Sequence, residues 1–535
     1  MGRLLGAQLR RDRWQLAIWV GGAGLLAFAA ASAVGAEFAA EADRRGIVAL
    51  AATNPAFMFL RGVPDGIEVG AVVFFTTFAF LGVMAGLLST FLVVRHTRAD
   101  EGLGRIELLG GGAATRTAPL VATLLLALLA NALLGGAVGV GMLGAGLDAA
   151  RAMLTGLTVA AIGLVFAGAA AIAAQLLPSS RGANGVSAAV VGGAYLIRGA
   201  GDALATPSAD LTSAESSWLS WLSPIGWGQR VRPFGDIDLW PLLLCLGAAA
   251  LLAGVALRLR ASRDLGASLL QERPGRARAG RSLRSAGGLA WRLQRPTLLG
   301  WAAGAAVLGT MAGALAPAVA DALDSNAALS ELIRRLSPST RGDALDIFTT
   351  AILGLAGVLA AAAGVQAMVR LRSEESEDRA ELLLAAPLRR WRWMLAHVAV
   401  ACLSVGVVAL CAGLAAGIAF SMTGYPERLG SSVGAAAAHI PTALVFVGLV
   451  GVIFGVLPRL TAPLGWGLLT LGIVVGQFGD LLQLPQAVQD VSPFAHSPGL
   501  PADRLEPAAL VVLATLAALA VALGVAAFRR RDVRS

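Results

Sequence analysis

RADEGLGRIELLGGGAATR, residues 98–116, and RSEESEDRAELLLAAPLRR, residues 372–390, are the two stretches whose reading decides the fold. They align without a gap at an offset of 274 and match at Arg98/Arg372, Glu101/Glu375, Arg105/Arg379, Glu107/Glu381, Leu108/Leu382, Leu109/Leu383 and Arg116/Arg390. Most of these identities are charged, yet both copies lie between long apolar runs. Composition alone does not place the same charges twice in the same register. The chain therefore reads as two similar halves, each presenting one polar elbow on the same side of a bilayer.

Working outward, the chain is 57% hydrophobic and 14% charged, well below the quarter or so of charged residues in soluble domains. Apolar runs of about 20 residues recur, each long enough to cross a hydrocarbon core of about 30 Å. Period-two alternation is absent, which argues against an outer-membrane barrel. The expected fold is all-α and polytopic. Candidate spans are 15–36, 67–94, 118–143, 151–177, 183–199 and 240–257, then 297–316, 347–370, 394–420, 435–457, 462–479 and 507–528, about twelve in all. The halves are 1–257 and 291–535, joined by a basic linker, 258–290.

Arginine placement predicts orientation. Arg3, Arg10, Arg11 and Arg13 precede the first span, and Arg529, Arg530, Arg531 and Arg534 follow the last. Residues 258–295 hold ten Arg against Asp264 and Glu272. Both termini and the linker are thus expected in the cytoplasm of a bacterium, at its plasma membrane, with anionic lipid near the linker. Ala31-Ser32-Ala33 resembles a signal-peptidase site. Cleavage is not expected, because Arg10, Arg13 and Trp19 recur mid-chain as Arg292, Arg295 and Trp301.

The repeat extends further. Phe166, Gly168, Leu177 and Pro178 match Phe446, Gly448, Leu457 and Pro458, Gly201-Asp202 matches Gly479-Asp480, and Ser223-Pro224 matches Ser492-Pro493. Six spans per half predict a pseudo-two-fold axis along the membrane normal. The fifth span is short and glycine-rich in both halves, which fits either a pathway or close packing, as at Gly135-x₃-Gly139 and Gly451-x₃-Gly455.

In each elbow a Glu stands four residues before an Arg, Glu101–Arg105 and Glu375–Arg379, a favourable helical pair. The expected element is a short amphipathic helix, then a turn at Gly110-Gly111-Gly112 or Ala386-Pro387. It either anchors two spans or engages two copies of one soluble partner. Every basic side chain among the 42 is Arg, and a Walker A loop needs Lys. The chain carries no such nucleotide site and is not expected to be an enzyme.

The R-x-D/E-E-x₃-R-x-E-L-L pattern between spans two and three, with a later Ser-Pro before span six, resembles ABC-2 type transporter permeases. The doubled form is similar to polyketide-antibiotic exporter permeases of actinobacteria, the tetronasin-resistance type. That resemblance implies a permease subunit moving a hydrophobic or amphiphilic compound outward. Two copies of a soluble ABC ATPase would power it, holding ATP and Mg; no cofactor is expected on this chain and no nucleic-acid partner. It further implies that Arg98, Asp100, Glu101, Arg105, Glu107 and Arg116 serve one ATPase copy. Arg372, Glu374, Glu375, Arg379, Glu381 and Arg390 would serve the other. Residues 4–14 resemble that class's interfacial helix and 286–296 its second copy. The resemblance also suggests an external hairpin at 200–239, with Ser223, Pro224, Ser492 and Pro493 as gate candidates. Gly102, Leu103 and Gly104 weaken the helix of the first copy, so the two docking sites are expected to be unequal.

Trp218, Trp221, Trp227 and Trp240 suit a headgroup level. His96, His397, His439 and His496 are scattered without metal spacing. Asn131 and Gln366 are polar groups within spans, pathway candidates whose ordinary explanation is a helix–helix hydrogen bond. A twelve-span secondary transporter of the major facilitator kind is the competing reading. The lack of intramembrane carboxylates opposes it.

Overall fold

The computed structural model describes residues 2–110, 115–264, 266, 268–270, 278, 280, 283, 285–317, 320, 344–385, 388–478, 485–503 and 505–531. The chain forms two compact units, Met1–Pro274 and Gly275–Ser535. The first holds six long helices: α1 Gly2–Glu37, α2 Val69–Val94, α3 Ala118–Gly144, α4 Ala149–Leu176, α5 Ser180–Ala203 and α6 Trp240–Ala261. The second holds α7 Ala286–Ala314, α8 Ala344–Ser376, α9 Arg390–Met422, α10 Ile440–Val456, α11 Thr461–Phe478 and α12 Pro507–Arg530. Among the described residues, eleven helices are long and apolar enough to cross a membrane. The protein is an all-α, multi-pass membrane protein.

Of the expected spans, only α5 falls outside those eleven. It forms a 24-residue helix, but Arg181, Arg198, Asp202 and its glycines lower its apolarity. Gly185, Gly192 and Gly193 have open space where a Cβ would stand. Close packing therefore does not explain them.

Each unit repeats one packing scheme. In the first, α1 packs on α3, α4 on α2 and α6, and α5 on α2; in the second, α7 packs on α9, α10 on α8 and α12, and α11 on α8. Helices two and four of each half are the enclosed ones, consistent with apolar residues on all sides of them. Small residues let the backbones meet. A Cβ at Gly135 would stand 2.3 Å from the Gly156 carbonyl oxygen, and one at Gly524 would stand 2.6 Å from the Gly451 carbonyl carbon. Both glycine pairs expected from the sequence lie at such crossings, where backbone approach replaces the missing hydrophobic drive between helices in lipid.

One expectation is corrected. Residues 4–14 and 286–296 are not separate interfacial helices; each is the first three turns of a continuous helix, α1 or α7, the latter with Pro296 inside it. Side-chain bonds described below tie the α1 extension to the first elbow.

Between α5 and α6 lies the only sheet among the described residues, Thr206–Pro207 against Ala214–Glu215. A 3₁₀ turn, Trp218–Leu222, and a short helix, Pro224–Gln229, follow it. They meet at Ser223. Trp218 and Trp240 are exposed, while the Trp227 indole donates to the Trp221 carbonyl at 2.5 Å.

Candidate functional site

The elbows are built from α2 and α8 outward. Beyond Val94, α2 widens into a π-helical turn, Arg95–Ala99, then a last turn, Asp100–Gly102. Gly104 follows at φ +70°, and a six-residue helix, Arg105–Gly110, begins. In the second unit α8 runs to Ser376, Asp378 sits at φ +57°, and the helix Arg379–Leu384 begins. Gly104 and Asp378 occupy equivalent positions of the repeat. Each elbow is therefore a helix broken by one left-handed residue. Glycine meets that conformation without steric cost, and Asp is among the few others that adopt it.

The break changes the ion pairs. Arg105 bonds Asp100 at 2.8 Å, and Arg379 bonds Glu374 at 2.8 Å. The expected Glu101–Arg105 and Glu375–Arg379 pairs do not form, because the left-handed residue turns each Arg back over the carboxylate one position earlier. Glu374 and Glu377 together hold the Arg379 pKa above its ordinary value by accepting its hydrogen bonds.

The freed carboxylates are buried and serve another purpose. Glu101 Oε2 accepts from Arg98 Nη1 at 3.0 Å and from Arg263 Nη2 at 2.7 Å. Its Oε1 accepts from the Gly266 backbone at 2.9 Å, and Arg260 stands 3.6 Å away. In the second unit Glu375 pairs with Arg372 at 3.4 Å and with Arg531. Arg260, Arg263 and Arg531 lie at or just beyond the ends of α6 and α12. In each half, then, a buried carboxylate locks the elbow to the exit of the sixth helix. The latch also reaches the fourth helix: Arg98 donates to the Pro178 carbonyl at 2.9 and 2.6 Å, and Arg531 to the Phe454 carbonyl at 2.7 Å. These acceptors lie near helix C-termini, where carbonyls lack intrahelical donors and cations are favoured. A charge this enclosed persists only when paired.

A second set of contacts ties the α1 extension to the first elbow. Arg11 reaches Asp100 at 2.7 Å, and buried Asp12 pairs with Arg95 at 2.8 Å and with His96. Gln15 accepts from Arg95 at 2.8 Å. The second unit differs here: Gln294 bonds His397 at 3.0 Å, and Arg370 bonds Glu374 at 2.7 Å. The two elbows are thus unequal, through the residues behind them as well as the expected glycines.

The expected coupling residues divide by exposure. Arg98, Glu101 and Glu375 are buried in the latches, Glu374 is buried against Arg370 and Arg379, and none of the four presents a surface to a partner. Asp100 is enclosed by Arg11 and Arg105. Arg105, Glu107, Arg116, Arg390 and Glu381 are exposed, with Arg372 and Arg379 half-buried. Leu103 and Leu382 stand 64% and 78% exposed beside them. Arg116 lies 3.6 Å from Asp264, and Arg390 donates to the Arg531 carbonyl at 2.8 Å. Both returning strands of the elbow thus touch the residues beyond the sixth helix. The turns at Gly111-Gly112 and Ala386-Pro387 lie outside the described residues.

Ser223 and Ser492 act as matched pins. Each caps the turn begun by Pro224 or Pro493, and each hydroxyl donates to the fifth helix at 2.7 Å, to Ala194 or Gly472 respectively. Ala194 and Gly472 are themselves 278 residues apart, the offset of the repeat there. Below the first pin, Val165, Phe166, Gly193, Ile197, Pro224 and Trp227 border an apolar recess of about 530 Å³. Asn131 is a helix–helix bond: it donates to Ser89 at 2.8 Å while fully buried. Gln366 accepts from the Trp301 indole at 2.5 Å.

Sequence reasoning missed two features. The arginines of the latch lie about 160 residues from Glu101 and carried only an orientation signal. Arg198 is fully buried with Asp202 at 2.9 Å and donates to the Phe59 carbonyl at 2.9 Å. Its i, i+4 spacing from Asp202 was the available clue. No group of three or more His, Cys, Asp or Glu able to hold a metal occurs among the described residues.

Two like helical units, each with a latched elbow and a serine pin on its fifth helix, make up a polytopic membrane protein. The C-terminal domain of multidrug efflux system permease Rv1217c matches residues 283–529 as a family. Multidrug efflux system permease protein Rv1217c of Mycobacterium tuberculosis is 36% identical over 534 residues, covering 99% of this chain and 95% of that protein. The chain belongs to this family of efflux system permeases.

Proposed function

We propose that this chain is the membrane subunit of an ATP-driven, ABC-2 type exporter at a bacterial plasma membrane, with both termini cytoplasmic. It moves a hydrophobic or amphiphilic compound, of antibiotic or drug-like kind, outward. Two copies of a soluble ATPase bring ATP and Mg and dock on the exposed parts of the elbows. The observation that carries this reading is the doubled elbow: an exposed charged tip with an apolar side chain, backed by a buried carboxylate locked to the sixth helix. A push on the tip at Arg105, Glu107 or Leu103 is delivered through Glu101 to α6 and through Arg98 to α4. Glu375 and Arg531 do the same for α12 and α10. The relative's name as a multidrug efflux system permease supports both the cargo class and the need for further components. The apolar recess beneath Ser223 suits such a cargo.

The test reverses exposed charge without touching the latch. Glu107→Arg with Glu381→Arg should abolish co-purification of the ATPase and export of a hydrophobic dye, while membrane insertion stays intact. Undiminished co-purification would remove the elbows from the docking surface. Uphill accumulation driven by an ion gradient, with no ATPase present, would overturn the reading as a whole.

A further inference from the structure

We infer that the outer face of α1 carries a binding site for one anionic phospholipid, held by Arg10 and Arg13. The two side chains border an open groove of about 410 Å³ whose remaining walls are Leu9, Leu16, Ala17, Val20 and Leu133. Both arginines are exposed. Among the described residues neither has an ion-pair partner, in contrast to Arg11 and Arg95 nearby, which bind Asp100 and Asp12. Arg13 stands over the Trp14 ring at 5.6 Å. Two unpaired guanidiniums one helical turn apart match the oxygens of a phosphate, which Arg binds with several parallel N–H donors.

The rest of the groove identifies the ligand as a lipid rather than a free anion. From Arg10 to Val20 the helix rises about 15 Å, half of a hydrocarbon core of about 30 Å. That is the depth of one leaflet, and its walls are apolar. Residues 14–36 carry no charge, so Arg13 marks the end of the membrane-crossing stretch and sits at headgroup level. An acyl chain along Leu16, Val20 and Leu133 places its phosphate between the two arginines.

The repeat supplies an independent observation. Arg292 and Arg295 stand at the same two positions of α7, are exposed, and likewise have no ion-pair partner among the described residues. The partners of the adjacent positions change between halves, Asp12 becoming Gln294 and Arg11 becoming Leu293. Of positions 10 to 13, only the two arginines are kept, and both remain exposed.

Native mass spectrometry of the full chain in detergent tests this, in the Arg292→Gln/Arg295→Gln background so that the second pair is silent. Phosphatidylglycerol, phosphatidylcholine and inorganic phosphate are the probes. Phosphatidylglycerol should bind selectively over phosphatidylcholine. Arg10→Gln/Arg13→Gln should weaken that binding about thirtyfold, the effect of two basic residues at an anionic surface. Arg10→Lys/Arg13→Lys should retain part of it. Leu133→Trp, which fills the groove with both charges in place, should also weaken it, and excess inorganic phosphate should not displace the lipid. Equal phosphatidylglycerol binding by the Gln variant, or equal binding of both lipids, would overturn the site. Displacement by inorganic phosphate would overturn the lipid as its ligand.

Discussion

Glu101→Ala removes the carboxylate on which the first latch turns. Its two charged bonds, at 3.0 Å to Arg98 and 2.7 Å to Arg263, and its bond to the Gly266 backbone are lost together. Arg98, Arg260 and Arg263 then face one another inside the protein, with side chains 3–6% exposed. Breaking a buried pair in this way costs about 3–5 kcal/mol, because the surviving charge is stranded. The first unit ends at Pro274, and an unfolding entropy of about 2.1 cal/mol/K per residue over that length converts the loss to a Tm drop of roughly 5–9 °C. Intrinsic-fluorescence melting of the detergent-solubilised protein measures it. Glu41→Ala is the control, since its pair with Arg45 is solvent-exposed and such pairs contribute about 0–1 kcal/mol. Arg263→Met added to Glu101→Ala should recover part of the loss, as expected for coupled sites. A Tm for Glu101→Ala within about 1 °C of the parent, or strictly additive losses in the double variant, would refute the latch.

Gly135→Leu should destabilise by at least about 1–3 kcal/mol, since the Gly156 carbonyl occupies the place of the new Cβ; Gly136→Leu, with open space there, should melt with the parent. Ser223→Ala and Ser492→Ala should each cost about 1–2 kcal/mol through the lost cap and the lost bond to the fifth helix, seen as faster limited proteolysis between residues 204 and 222 in the first case. Gly104→Ala should cost about 1–2 kcal/mol for a left-handed alanine, a Tm drop of roughly 2–3 °C by the same conversion. It should lower ATPase co-purification by straightening the elbow, and unchanged docking with unchanged Tm would deny the break any role.

Much of the architecture was legible because apolarity and charge act locally. A run of 20 uncharged residues has one favourable environment, and the position of each span follows from it. The one span that escaped this logic, α5, holds Arg198, Asp202 and a run of glycines. The elbows were legible because the halves repeat. The tips Glu107, Arg116, Glu381 and Arg390 are exposed. The inner residues were read as one surface with them, since linear alignment cannot separate the two sides of a bent helix. The i, i+4 pairs failed for a specific reason: Gly104 hinted at a break, whereas nothing in Ser376-Glu377-Asp378 marks Asp378 as left-handed. The expected interfacial helices are instead the first turns of α1 and α7, and in α1 Asp12 is buried against Arg95 and His96. That contact ties the start of α1 to the first elbow.

The chain alone determined that this is a doubled, helical membrane protein with matched polar elbows, because burial of apolar surface and exclusion of charge from lipid depend only on local composition. Tertiary structure decided which charges meet. Glu101 finds Arg263, and Glu375 finds Arg531, across more than 150 residues. A buried carboxylate takes whichever cation the packed helices deliver to it, and that choice is made by the crossings of helices two, four and six, which no spacing in the sequence records.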